Sequence, residues 1–92
     1  YEDLKRIPLE YLVNIELNHG TFPESPHHDS SRVRRFCGEG EYDIKGFIDT
    51  ILQLGYTGPW AVEVFSEELP TLPLDELNTR AFETTIAQFS DY

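Results

Sequence analysis

The chain has 92 residues, with 17 Asp and Glu against 7 Lys and Arg and a formal net charge of −10 at pH 7. That excess of negative charge excludes a sequence-independent grip on a nucleic-acid backbone, and the apolar stretches are too short to form a membrane-spanning helix. A single cysteine, Cys37, leaves no internal disulfide to staple so short a chain, which suits a reducing, cytoplasmic setting.

Residues 1–7 read as the tail of a helix closed off by Pro8. Residues 10–18 (EYLVNIELN) alternate, with Val13, Ile15 and Leu17 on one side and Asn14, Glu16 and Asn18 on the other, the period of a strand. Residues 19–40 have no period and are rich in Gly, Pro, Ser, His and Arg, which marks a long loop. Asp43 is a good helix N-cap, and behind it Ile44, Phe47, Ile48, Ile51 and Leu52 recur at three- and four-residue steps until Gly55 ends the run. A turn (YTGP) leads to residues 60–65 (WAVEVF), a second short strand with Glu63 inside it. Pro73 suits a first helical turn, and Leu74, Leu77, Ala81, Thr85 and Phe89 continue a helical stripe.

Strand alternating with helix implies parallel strands joined by crossover helices, in a doubly wound sheet or a (β/α)8 barrel. Two strands cannot cover the apolar stripes of two helices and their own edges, so partner strands are expected outside this sequence. The first residue, Tyr1, is not a start methionine and the last follows directly on a helical pattern, so the chain is expected to be part of a longer one.

In parallel α/β architectures the ligand lies beyond the C-terminal ends of the strands. With Val13, Ile15, Leu17, Val62 and Val64 turned toward the helices, Glu16 and Glu63 face one common interior. If the strands pair at similar height, two ionised carboxylates meet there, and a shared proton, an Arg or Lys, or a metal ion must compensate. Oxygen ligands of this kind suit Mg²⁺ or Mn²⁺. The competing arrangement turns one carboxylate outward or ties it to an arginine in a static ion pair. Arg32, Arg34 and Arg35, ahead of Cys37-Gly38-Glu39-Gly40, offer a guanidinium fork for a hydroxyl, carboxylate or phosphate, or else neutralise surface carboxylates. His19, just past the first strand, is the one histidine placed as a site residue, because the spacing with His27 and His28 fits no zinc pattern. Cys37 has no evident base beside it and reads as a small filler, Tyr56 and Trp60 read as core, and Glu67 and Glu68 as solvated.

The order Leu12-Val13-Asn14-Ile15-Glu16-Leu17-Asn18-His19-Gly20, Arg34-Arg35-Phe36-Cys37-Gly38-Glu39-Gly40 and Gly55-Tyr56-Thr57-Gly58-Pro59-Trp60-Ala61-Val62-Glu63-Val64-Phe65 resembles the last two βα units of the sugar phosphate isomerase/epimerase family, the xylose isomerase-like barrels. The resemblance implies that residues 1–92 form the C-terminal βαβα portion of a single (β/α)8 TIM-barrel domain whose remainder lies outside this chain. It implies a divalent metal ion (Mn, Mg, Co or Zn) and a sugar or sugar-phosphate substrate, with no nucleic-acid or membrane partner and with room for assembly into an oligomer. By that resemblance Glu63 is a metal ligand that also serves in proton transfer, and Arg34 touches substrate oxygens with Arg35 as the alternative one position away; His19, by its place just past the strand end, is a further substrate-binding candidate. Relatives usually place His or Gln as the seventh-strand ligand where this sequence has Glu16, and often Asp where it has His19. The implied chemistry is isomerisation or epimerisation by proton transfer at a carbon next to a carbonyl. A 3-dehydroshikimate dehydratase-like lyase on the same barrel, or a barrel without activity that serves as a binding module, are the alternatives.

Overall fold

The computed structural model describes residues 1–22, 25 and 32–92; His27 and His28 lie outside the described residues. Two strands, β1 (Ile15–Leu17) and β2 (Trp60–Val62), pair in parallel, with Ile15 opposite Trp60, Glu16 opposite Ala61 and Leu17 opposite Val62. Helix α1 (Ile44–Gln53) lies between them in sequence, and α2 (Leu74–Ile86) follows β2. Parallel neighbours require such a crossover, and the expected strand–helix order is the one observed.

Both strands are shorter than their alternation suggests. Pro8 starts a 3-10 turn over Leu9–Tyr11, closed by the Leu12 amide donating to the Leu9 carbonyl at 3.0 Å, so residues 10 and 11 are coiled before the strand begins. Val13 is 77% exposed rather than turned into a core. The 1–7 stretch likewise holds a 3-10 helix, Glu2–Arg6, in place of an α-helical tail. Beyond Val62 the ladder continues by one bond, the Glu63 amide donating to Leu17 O at 3.1 Å. From there each strand end is taken up by another segment.

Helix α1 forms as its sequence dictates. The Asp43 carboxylate caps the Gly46 amide at 2.9 Å, Ile44, Ile48 and Ile51 are buried against the sheet, and Gly55 leaves the helix at φ +90°. Leu17, Ile48 and Ile51 are the centre of the core, at 1%, 0% and 1% exposure. Tyr56 is buried, its hydroxyl donating to Pro59 O at 2.6 Å, and its ring begins an edge-to-face chain through Trp60 (5.6 Å) to Phe89 (5.0 Å) that fastens the C-terminal end of the chain to the core.

Helix α2 departs from the stripe. Leu77, Ala81, Thr85 and Phe89 are half-buried, but Leu74 is exposed, and none of the residues of α2 is fully buried. Phe82 and Ile86 stand on an open apolar flank beside a cleft of about 550 Å³ that also takes in Leu52, Trp60 and Val62. A stripe predicts which face is apolar, and here the helix has only part of that face against its own chain. No helix among the described residues is long and apolar enough to cross a membrane.

Candidate active site

The segment 32–35 crosses the C-terminal ends of both strands. On one side Arg35 and His19 exchange backbone hydrogen bonds (2.8 and 2.9 Å); on the other the Arg34 amide donates to Phe65 O (3.0 Å), Val33 bridges Ser66, and the Glu67 amide donates to Arg32 O (3.1 Å). Every one of these bonds is backbone to backbone, so the arginine side chains are displayed from a fixed strap.

Arg34 uses that position to reach Glu63. Its Nη1 donates to Glu63 Oε2 at 3.0 Å, and its guanidinium carbon lies 5.1 Å from the centre of the Phe65 ring. The two side chains are 27% and 45% exposed, so solvent screens the pair and its net worth is on the order of 1 kcal/mol, with a similar amount from the ring face. Glu63 Oε1 is not engaged by this contact. Of the three compensations open to the Glu63 carboxylate, the arginine is the one the structure displays.

Glu16 shares the face of Glu63 but not its height. The register sets Glu16 level with Ala61, and continuing it one step sets Asn18 level with Glu63, so the two carboxylates are one strand across and two residues along, roughly 8 Å apart between Cα atoms by strand geometry. The Glu16 side chain is exposed and accepts from Asn14 Nδ2 at 3.5 Å, at the outer limit of a hydrogen bond. Two carboxylates and two amides, Asn14 and Asn18, thus line one face, all of them hard oxygen donors. They fit part of the ligand shell of a hard divalent cation, and among the described residues no group of three His, Cys, Asp or Glu completes one.

His19 is placed differently from a ligand waiting for a partner. It is 5% exposed; its Nδ1 accepts the Gly38 N–H at 2.8 Å, which leaves the ring proton on Nε2, 2.8 Å from the Tyr42 carbonyl. Both ring nitrogens are therefore committed to backbone. The same turn holds the Glu41 amide on Gly20 O at 2.8 Å. A Cβ on Gly40 would come within 2.7 Å of Gly20 N and 2.8 Å of the His19 ring, closer than side chains tolerate. Gly38, at φ +86°, makes the turn possible. Tyr42 closes this corner, its hydroxyl donating to Thr21 O at 3.1 Å and its ring meeting Phe22 edge to face at 5.5 Å.

Arg35 is exposed and forms no side-chain ion pair among the described residues; it lines a cleft of about 290 Å³ with Arg34, Glu39 and Arg80, on the α2 side of the strap. Arg80 there is paired with Glu39 at 3.0 Å and stacked on Phe36. Glu67, exposed, pairs with Arg32 at 3.7 Å, and Glu68 is exposed. Cys37 is 2% exposed and meets Thr85 at 3.9 Å; burial pushes its thiol above the ordinary range, the opposite of what a nucleophile needs. Phe65 and Asn18 join the candidate site without the chemistry of their side chains announcing it. The alternation already puts Phe65 on the side of Glu63, and Asn18 on that of Glu16.

The chain is similar over 99% of its length to the IOLI protein, whose crystal structure at 1.8 Å holds a bound zinc atom, with a TM-score of 0.89 and 21% identity; it spans 32% of that chain. A 44-residue stretch, 48% of this chain, is 41% identical to a 3-dehydroshikimate dehydratase from Pseudomonas putida, of which it covers 7%. No protein-family model matches the chain. A parallel strand pair with a helical crossover, a polar face at its C-terminal end and an open apolar flank are what a part of a closed barrel contains, and by fold this chain is the C-terminal βαβα portion of a (β/α)8 TIM barrel.

Proposed function

We propose that the complete protein is a metal-dependent enzyme that moves a proton at a carbon next to a carbonyl, as a sugar or sugar-phosphate isomerase or epimerase. The observation that carries this is Glu63, held at the C-terminal end of β2 on the face it shares with Glu16 and bonded to Arg34 through one oxygen only. The zinc atom of the structurally similar IOLI protein supports a divalent cation in this fold. Glu63 and Glu16 would hold such a cation, together with groups outside this chain. The cation, when bound, would polarise the substrate carbonyl and offset negative charge that develops on its oxygen.

In this scheme Glu63 takes the proton from carbon, Arg34 orients substrate oxygens from the strap with Arg35 as the outer guanidinium, and His19 keeps the strap in place instead of touching substrate. A cytoplasmic location belongs to the same proposal, motivated by the free thiol of Cys37. Replacing Glu63 with Gln in the complete protein keeps the shape and removes the base. It is expected to lower kcat/KM by about 10³-fold or more, and wild-type turnover would refute the assignment.

The 41% identity to a dehydratase favours a second outcome of the same first step. Once the proton beside the carbonyl has left, loss of a hydroxyl from the next carbon as water gives a lyase. Incubating the complete protein and stoichiometric metal with hydroxy-carbonyl acids and with sugar phosphates separates the two: loss of one water favours the lyase, and an isomeric product of unchanged mass favours the isomerase.

A further inference from the structure

We infer that Arg34 is the internal counter-ion of Glu63, competing with the cation for that carboxylate and turning toward substrate oxygens once the cation has taken its place. This rests on the assignment of Glu63 as a ligand made above. Among the described residues, the guanidinium of Arg34 is the one cation recorded against Glu63, in a chain of formal charge −10. The contact is a single Nη1–Oε2 bond at 3.0 Å, not a two-pronged fork, so the guanidinium keeps donors in reserve and Glu63 keeps an oxygen. Neither partner is free to drift as a whole: the Arg34 amide is fixed on Phe65 O and the Glu63 amide on Leu17 O.

The Phe65 ring gives the guanidinium a second resting contact, 5.1 Å from its centre, that does not depend on Glu63. Arg34 thus has somewhere to stay when the carboxylate is claimed. A divalent cation on Glu63 would lie within a few ångströms of this positive charge, and the mutual repulsion weakens binding of the cation while pushing the guanidinium outward over the ring. Glu63, in turn, is held in place and neutralised before the cation arrives. The predicted cost of that arrangement is metal affinity, and the gain is a guanidinium released for substrate only in the loaded site.

The test is a titration of the complete, metal-stripped protein with Mn²⁺ alone, following the free-ion EPR signal. Arg34→Gln is expected to bind Mn²⁺ roughly tenfold more tightly than wild type. Arg34→Lys, which keeps the charge, is expected to stay within about threefold of wild type. Unchanged or weaker binding by Arg34→Gln overturns the inference. Glu63→Gln separates this from the underlying assignment: if that substitution leaves Mn²⁺ affinity unchanged, Glu63 is no ligand and the functional proposal itself fails; if it weakens binding while Arg34→Gln does not tighten it, only the competition fails. Should Arg34→Gln not fold, Phe65→Leu serves in its place. With the ring gone the guanidinium leans wholly on Glu63, so Mn²⁺ binding weakens by about threefold, and unchanged or tighter binding overturns the inference.

Discussion

The corner around His19 and the outer flank of α2 are opposite solutions to burial within one short chain. At the corner the buried polar side chains find partners within the same chain: the imidazole spans Gly38 and Tyr42, Gly20 O takes the Glu41 amide, and among the described residues no buried side-chain nitrogen or oxygen lacks a partner. On the flank Phe82 and Ile86 are 67% and 55% exposed beside a cleft of about 550 Å³. Polar groups at the site margin are satisfied locally, because an unpaired buried one is costly. Apolar surface can be left for something else to cover, and a barrel supplies that cover from its other units.

The sharpest way to break this contrast is at His19. His19→Ala in the complete protein removes the partner of both Gly38 N–H and Tyr42 O and is expected to cost about 3 kcal/mol in urea unfolding, with His19→Gln recovering part of it. A loss below about 1 kcal/mol would mean that water replaces the ring and the corner is not closed. Next in size, Phe82→Ser should cost about 2 kcal/mol in the complete protein if the flank is covered there, against less than about 0.5 kcal/mol for a residue left in solvent. The smaller value would show that the flank stays bare.

The smallest effect lies on the border between the two regions, where Cys37 of the corner meets Thr85 of α2. Burial raises the Cys37 thiol above its ordinary 9.0, so the folded state holds the proton longer than the unfolded one. Stability from this source is whole below that ordinary value and falls as pH rises through the folded one. Between about pH 8 and 10 wild type is expected to lose slightly more stability than Cys37→Ala, and its thiol should react slowly with disulfide reagents at pH 8. Equal pH profiles and fast labelling would place Cys37 in contact with solvent.

What could be read ahead of the coordinates follows from what depends on local order. The stripe from Ile44 to Ile51, the Asp43 cap and the Gly55 exit are properties of a single turn or two, and they stand as the spacing requires. Glu63 is a candidate from its residue type and place in the second strand, and Arg34 from the family resemblance. Their direct bond was not, because it depends on the 32–35 strap crossing two strand ends through backbone bonds that leave no periodic trace. The offset between Glu16 and Glu63 is a matter of register, which alternation alone does not set. His19 is the clearest case: a histidine after a strand has the chemistry of a ligand, and only its two backbone partners reveal a structural post. Leu74 and Phe82 show the converse limit, since a sequence marks apolar residues without telling which part of a longer protein meets them.

Where Gly20 and Gly40 pass, main chain lies against main chain, with the rings of Tyr42 and His19 packed on either side. A loop anchored in that way is a poor place to tinker: a larger residue at Gly40 must displace the Gly20 main chain and the His19 ring, and one at Gly20 must displace the Tyr42 ring. Exchange meets no such main-chain obstacle at the exposed rings mounted around the crossing, Phe22 and Phe65.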